Sequence, residues 1–497
     1  MAPSFYIYLA LLVPVALALA ALLRLSPTAH LRHLALGTVA AALGALPAVI
    51  MTWSRGGEIT AAQGWLRLDA LSALHVLLLL VVFVPAACYA GRYFRVEIAE
   101  GEFSRKVARR FVALWFGALA MMLLVLFANN LGIMWVGIEA TTLLTAFLIC
   151  THLTPGSLEA MWKYLLMCSV GVAVAFMGIL LIAAATRHTG MPLNTALLWT
   201  NLIEAQDKLD PALVKAGFLF LVVGFGTKAG LAPMHNWLPD AHSQAPSPVS
   251  AIFSGCLLNS ALYCILRCLP LAEGVSGNVG WARGVLVALG LLSMVVAAGF
   301  LMAQRDLKRL LAYSSVEHIG IMALGVGLGG LGAFAAMLHM LGHALAKPLG
   351  FICAGTLGQA YGTHDMRRMG GVVRRVPVWG AGMILALLAL IGVAPGLLFI
   401  SELLVLKSAV EQQFWWTTVI YLVALAVAFI AVLRRAMAMG WDDSVPLPEH
   451  PAAAPAGLDA VLLVAVPLAL LLILGLFLPV GLSALLQQAA SIVGGRP

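Results

Sequence analysis

Three protonatable side chains, His339, His343 and Lys347, stand four residues apart in LHMLGHALAKPLG (338–350), inside an otherwise apolar stretch. Residues at i, i+4 and i+8 share one helix face at steps of about 6 Å, so the three predict a stripe roughly 12 Å deep. Histidine exchanges protons near neutral pH, and with water between them such groups can pass protons along. Pro348 removes the hydrogen bond to the Ala344 carbonyl, which leaves that oxygen free to hold a water beside the stripe. Two histidines at this spacing can also bind zinc. No cysteine or carboxylate accompanies them, and haem draws its axial histidines from different helices, so neither metal nor haem is expected.

Few other ionisable groups fall in apolar segments, and each marks function by default because charge is costly in a bilayer. Glu139 lies midway along NNLGIMWVGIEATTLLTAFLIC, and Lys228 lies in GFGTKAG. Glu317 and His318 lie in AYSSVEHIGIM, and Glu402 and Lys407 in LLFISELLVLKSAV. Lys163 and Lys407 are expected to snorkel to an interface, and Glu317 to face either water or the interior. Glu139 cannot snorkel from mid-span. An ion pair with Lys228 is expected, either as fixed structure or as a gate that opens and closes for a proton carrier.

The elements that hold these groups follow from composition. Of 497 residues, 62% are hydrophobic and 10% charged, against about 45–50% and about 25% in soluble domains. The expected fold is therefore an all-α polytopic membrane protein, and the lack of long alternating segments argues against a β-barrel. About fourteen apolar stretches are expected to cross as helices. They start at 5–23, which reads as a retained span because no positive segment precedes it, and end at 458–486. Two spans are interrupted by glycine and proline, in 218–250 and in 388–410. Such breaks persist only where protein or a water-filled cavity satisfies the freed backbone, and a pair of them in corresponding halves points to an inverted-repeat transporter.

The expected organisation is helices 1–3 over 1–110, a first inverted five-helix repeat over 111–270 and a second over 281–435. A cytoplasmic linker (436–457) and a last span (458–497) follow. No segment is long enough for a soluble domain, so the chain is expected to catalyse nothing alone. Of 29 Lys and Arg residues, alternating loops place 18 on one side and 8 on the other, with three inside spans. The richer side is cytoplasmic by the positive-inside rule, which puts both termini in the periplasm. This pattern explains the net charge of +8 without nucleic acid. The seven cysteines include no C-x-x-C pair, so no iron–sulfur or zinc site is expected.

At this point the motifs carry a resemblance. GTKAGLAPMHNWLPDAHSQAPSPVSAIFSG (226–255) resembles the signature of the antiporter-like, proton-conducting membrane subunits of respiratory complex I, Mrp antiporters and energy-converting hydrogenases. NNLGIMWVGIEATTL, YSSVEHIGIM and HDMRRMGG are most similar to the F-type membrane subunit of hydrogenase-4 and formate hydrogenlyase. The resemblance implies half-channels joined by a hydrophilic axis: Glu139 as gating acid, Lys228 as its partner, His339, His343 and Lys347 as central relay, and Glu402 as terminal acid. It implies a proton-translocating subunit of a multi-subunit redox complex in the bacterial cytoplasmic (inner) membrane. That subunit would carry no cofactor itself and would be partnered by other membrane subunits and soluble redox subunits. The alternatives are an Mrp-type cation/proton antiporter subunit, which would move sodium as well, and the membrane subunit of an inorganic-carbon uptake complex. Two departures stand out: Ser254 and Asn259 occupy a region where relatives often carry lysine or histidine, and no long lateral helix is expected after the last span.

Overall fold

The computed structural model describes residues 2–192, 194–275, 280–442, 444–445 and 456–494. It is helical nearly throughout. The helices are α1 (Ser4–Ala20), α2 (Pro27–Arg55), α3 (Ala70–Ala99), α4 (Arg105–Phe127), α5 (Leu131–Ile149), α6 (Pro155–Ala185), α7 (Trp199–Glu204), α8 (Pro211–Ala229), α9 (Trp237–Gln244) and α10 (Ser247–Ile252). A π-helical turn, Phe253–Leu257, leads into α11 (Leu258–Val275). There follow α12 (Trp281–Ala303), α13 (Leu307–Leu328), α14 (Gly330–Tyr361), α15 (Val372–Arg375), α16 (Pro377–Leu390), α17 (Leu397–Glu411), α18 (Trp415–Trp441), α19 (Leu458–Leu476) and α20 (Val480–Gly494). The one sheet among the described residues is a short antiparallel hairpin, Ile59–Ala61 with Leu66–Leu68, which the sequence reading did not expect.

Twelve helical stretches among the described residues are long and apolar enough to cross a membrane. The other two of the fourteen expected spans are made of shorter helices. The 5–23 segment is the 17-residue α1, and 377–410 is divided between α16 and α17. The expected 458–486 span stops at Leu476, and a separate helix begins at Val480. Part of the expected linker 436–457 continues α18 to Trp441, and 446–455 lie outside the described residues.

Side chains start many of these helices. Asp69, Ser104, Asn130, Asp210 and Asp306 each accept a hydrogen bond from a first-turn N–H, and Thr154 forms a capping box with Ser157. The two breaks occur where expected. α8 ends at Gly230 in the left-handed conformation (φ 82°), and the Thr227 carbonyl accepts from Trp237 Nε1 at 2.8 Å as well as from the Gly230 N–H. α16 gives way at Gly392 (φ 67°) before α17 begins. The freed Ala232 N–H within the first break donates to Ser293 Oγ at 2.9 Å, so protein satisfies it.

Burial identifies the interior. The most apolar windows of Ser247–Val275, α13 and α14 are 100% buried, against 39% for α6, α12 and α18 and 17% for α19. The histidine stripe therefore runs through the centre, and outer helices present their apolar faces to lipid or neighbours. Glycines let backbones touch at the seams: a Cβ at Gly224 of α8 would stand 2.4 Å from the Gly171 carbonyl of α6.

Candidate functional site

The first cluster sits where α8 ends. Lys228 Nζ donates to the Ile138 carbonyl at 2.7 Å, to Thr141 Oγ1 at 2.7 Å and to Thr142 Oγ1 at 2.5 Å. An ammonium has three N–H donors, and these three oxygens of α5 use all of them. Thr141 and Thr142 pass their own hydroxyl protons back to the Ile138 carbonyl, so their lone pairs are free to face the lysine. Glu139 lies on the same helix but points elsewhere. One carboxylate oxygen accepts from Ser169 Oγ of α6 at 2.8 Å and the other has no partner. The expected Glu139–Lys228 ion pair is thus absent. Helical geometry is the reason: the carbonyl of Ile138 and the hydroxyls of Thr141 and Thr142 share the face towards Lys228, and Glu139 is turned about 100° from Ile138.

The second cluster lies on α14. His339, His343 and Lys347 are each 0% exposed and share one face, as expected. His339 Nε2 lies 2.8 Å from His318 Nδ1 of α13, and His339 Nδ1 lies 2.9 Å from Ser401 Oγ of α17. His343 stands with its ring centroid 5.4 Å from that of His318, and neither of its nitrogens has a partner. Lys347 Nζ donates to the Leu311 carbonyl at 2.9 Å. Pro348 does not interrupt α14, which is continuous to Tyr361. The proline ring instead packs where Gly255 leaves room, 3.0 Å from the point a Cβ there would occupy.

Ser254 and Asn259, the first departure from the family pattern, behave differently from each other. Ser254 Oγ lies 2.8 Å from Ser315 Oγ, and Ser315 Oγ donates to the Leu311 carbonyl at 3.0 Å. Since Ser315 has spent its only proton, Ser254 donates to it. Ser254, Ser315, the Leu311 carbonyl and Lys347 therefore form one hydrogen-bonded chain from the π turn to the stripe. Asn259 folds onto its own helix, with Nδ2 donating to the Gly255 carbonyl at 2.9 Å and Oδ1 unpartnered.

Glu402 begins beyond the second break and is 8% exposed. A Cβ at Gly392 would stand 2.1 Å from its Oε2, so the glycine is what allows the carboxylate its place. Glu317 is 5% exposed and faces the interior, which settles the alternative of a water-facing side chain. Lys407 reaches an exposed position with Glu411 at 3.7 Å. Lys163 pairs with Glu159 at 2.6 Å and Asp240 at 3.1 Å, and Asp240 also meets Arg309 at 2.5 Å, joining α6, α9 and α13.

Several groups were missed. His242 of α9 is buried, has no partner on either nitrogen and stacks on Phe351 of α14 with centroids 4.8 Å apart. It adds a fourth histidine beside the α14 face, and its signal was its place in the first broken helix. Arg267, one of the eight basic residues counted on the less basic side, is buried in α11. It grips Asp69 through two nitrogens at 2.5 and 2.6 Å. Burial alone would raise the Asp69 carboxyl, but the Arg267 guanidinium outweighs it and holds it at about 2.

Comparison with known proteins places this geometry. Residues 128–428 match the family model described as NADH:quinone oxidoreductase/Mrp antiporter, TM. A hydrogenase-4 component F homolog of Methylacidiphilum infernorum is 40% identical over 346 residues, 69% of this chain and 72% of that protein. Hydrogenase-4 component B of Escherichia coli is 33% identical over 68% of this chain, a match that spans half of that relative's length. Among solved structures, a chain of the archaeal membrane-bound sulfane sulfur reductase, a respiratory membrane complex, superposes with a TM-score of 0.85 at 24% identity. It covers 98% of this chain and 97% of that one.

Proposed function

The chain belongs to the NADH:quinone oxidoreductase/Mrp antiporter membrane family, and from that premise we propose that it is the proton-translocating membrane subunit of a multi-subunit redox complex of hydrogenase-4 or complex I type. The observation that supports this most directly is the polar line through its most buried helices, running from Ser254 and Ser315 to Lys347 and, beyond His343, to His318, His339 and Ser401. Its proposed members are Glu139, Lys228, His339, His343, Lys347 and Glu402. A stretch of buried polar groups at this depth is costly unless used or fully paired, and the unpartnered nitrogens of His343 and His242 leave places for water between the bonded segments.

In this reading Lys228 holds its proton on three neutral oxygens and not on Glu139, so Glu139 acts on it through space. A change of charge at Glu139, driven by a neighbouring membrane subunit, shifts the balance at Lys228 without breaking a direct bond. The proton then reaches Lys347, which shares the Leu311 carbonyl with Ser315 at rest, by way of water, and passes along the histidines to Glu402. The proposal includes two inverted repeats, 111–270 and 281–435, each with its broken helix. It also includes soluble redox partners, both termini in the periplasm and residence in a bacterial cytoplasmic membrane, with protons or sodium ions as cargo.

The test uses the intact complex in proteoliposomes, with redox turnover and internal pH followed together. Lys228→Ala and His343→Ala should abolish proton uptake while the complex assembles and transfers electrons. Pumping at the wild-type rate in both variants sinks the relay. Sodium-dependent counterflow without any redox partner would favour the cation/proton antiporter instead.

A further inference from the structure

Three side chains from three helices converge at the end of the stripe. His318 of α13, His339 of α14 and Glu402 of α17 each bring one ligand atom, and the three atoms lie within 4.8 Å of one another. Sequence spacing points to the wrong pair, His339 and His343, because it sees only one helix at a time.

The hydrogen bonds fix which nitrogens carry lone pairs. With Ser401 Oγ donating its proton to the Leu398 carbonyl at 2.8 Å, the matching tautomer of His339 carries its proton on Nδ1 and donates it to Ser401. His339 Nε2 is then a bare lone pair aimed at His318 Nδ1, which supplies the single proton between the rings. A histidine whose far N–H is held by an oxygen, and whose near nitrogen faces a second imidazole and a carboxylate, is oriented as metal-binding histidines are. The Nε2 of His318 has no partner.

We propose that His318, His339 and Glu402 form a binding site for a divalent first-row transition ion, with Zn²⁺ the best match. Two imidazole nitrogens and one carboxylate oxygen are the borderline donors this ion prefers, and hard cations would ask for oxygens only. Binding needs no redox partner. The His318 proton moves from Nδ1 to the vacant Nε2, Nδ1 and His339 Nε2 donate their lone pairs, Glu402 releases its carboxyl proton to water and binds as the carboxylate, and water takes the fourth position. Ligand atoms around zinc stand about 3.3 Å apart, so the site forms by a small rotation of Glu402 and parting of the rings. An ion here takes the proton-bearing nitrogen out of the line and blocks it. That second consequence rests on the relay reading, whereas the binding does not.

The experiment uses the untagged full chain in nanodiscs, titrated with Zn²⁺ against a competing chelator, with X-ray absorption of the bound ion. One Zn²⁺ per chain is expected, with two imidazoles in a nitrogen/oxygen shell at about 2.0 Å. His318→Gln and Glu402→Gln should each weaken binding by at least about tenfold, and His343→Gln should leave it unchanged. Absence of a stoichiometric ion in the wild type overturns the proposal, as does a bound ion without two imidazoles. Wild-type affinity in both ligand variants, or loss only in His343→Gln, overturns it as well. The absorption measurement needs no variant to fold. Proton uptake by the intact complex in proteoliposomes then separates the two claims: inhibition by Zn²⁺ supports the block. Binding without inhibition overturns the block and counts against the relay at this point, with the metal site intact.

Discussion

The two broken helices hold their charged residues in opposite ways. At the first, Lys228 ends a helix and gives every N–H to a neutral oxygen of α5, with no opposite charge in contact. At the second, Glu402 follows the break, pressed against Gly392, beside two histidines already joined through a proton. A cation in a full cradle of neutral oxygens is held by geometry, and only a distant charge can tilt it. A carboxylate beside bonded imidazoles exchanges protons with its immediate neighbours. In the relay proposed above, the first break would be acted on from outside and the second would hand a proton on.

The largest expected effect comes from emptying the cradle. Lys228→Met should lower proton flux in the reconstituted complex on the order of 10²-fold, the usual worth of a positioned proton-transfer group. Glu139→Gln, which touches no bond of Lys228, should cost less. Equal losses in the two variants would restore the ion pair that the geometry lacks and erase the contrast between the breaks.

The hinge glycines give the next contrast. Both glycines hold a left-handed φ, but the Cβ of Gly392→Ala would stand 2.1 Å from Glu402 Oε2, whereas that of Gly230→Ala meets the movable end of Leu238 at 2.6 Å. Both should destabilise, by about 1–3 kcal/mol, but only Gly392→Ala displaces a relay group. Its flux should fall roughly tenfold, with Gly230→Ala keeping most of its own once folded. Parallel losses in flux would show that both breaks act only as scaffolds.

Between the breaks, Ser315→Ala removes the hydroxyl that joins Ser254 to the Leu311 carbonyl. Flux should drop a few-fold and unfolding should move by about 1 kcal/mol, the net worth of a buried hydrogen bond. An unchanged flux would mean that protons reach Lys347 by way of His242.

Much of this was legible in the residues. Sparse charge in an apolar chain gave the class, glycine and proline clusters gave both breaks, and the i, i+4, i+8 spacing gave the stripe. G-x-A-P recurs at 230–233 and 392–395, a repeat signal in plain view that the reading of single segments passed over. What stayed hidden needed partners from other helices. Nothing local says that Thr141 and Thr142, and not Glu139, receive Lys228, because that depends on how α5 is rotated against α8. Ser401 and His318 gain meaning only once α13, α14 and α17 meet. Arg267 was misplaced because charge counting sends arginines to loops, and its partner Asp69 lies 198 positions away.

The smallest expected effect lies outside both breaks and so measures what the line is not. His152, in the loop after α5, stands 3.2 Å from Glu97 near the end of α3. The contact with that carboxylate outweighs burial and raises the imidazole above its usual 6.5. A raised folded-state value means that the pair stabilises fully below about pH 6.5 and that this contribution is lost as pH rises through the folded value. The side chain is 34% exposed, and screening limits the pair to less than about 1 kcal/mol. Thermal unfolding of the purified chain should therefore fall slightly from pH 6 to pH 9 (about three units), and Glu97→Gln should flatten that slope. Proton flux through the complex should be the same in this variant as in the wild type at each pH. If Glu97→Gln instead changed flux, the line would extend to this loop, and the contrast proposed between the Lys228 break and the Glu402 break would have to be redrawn.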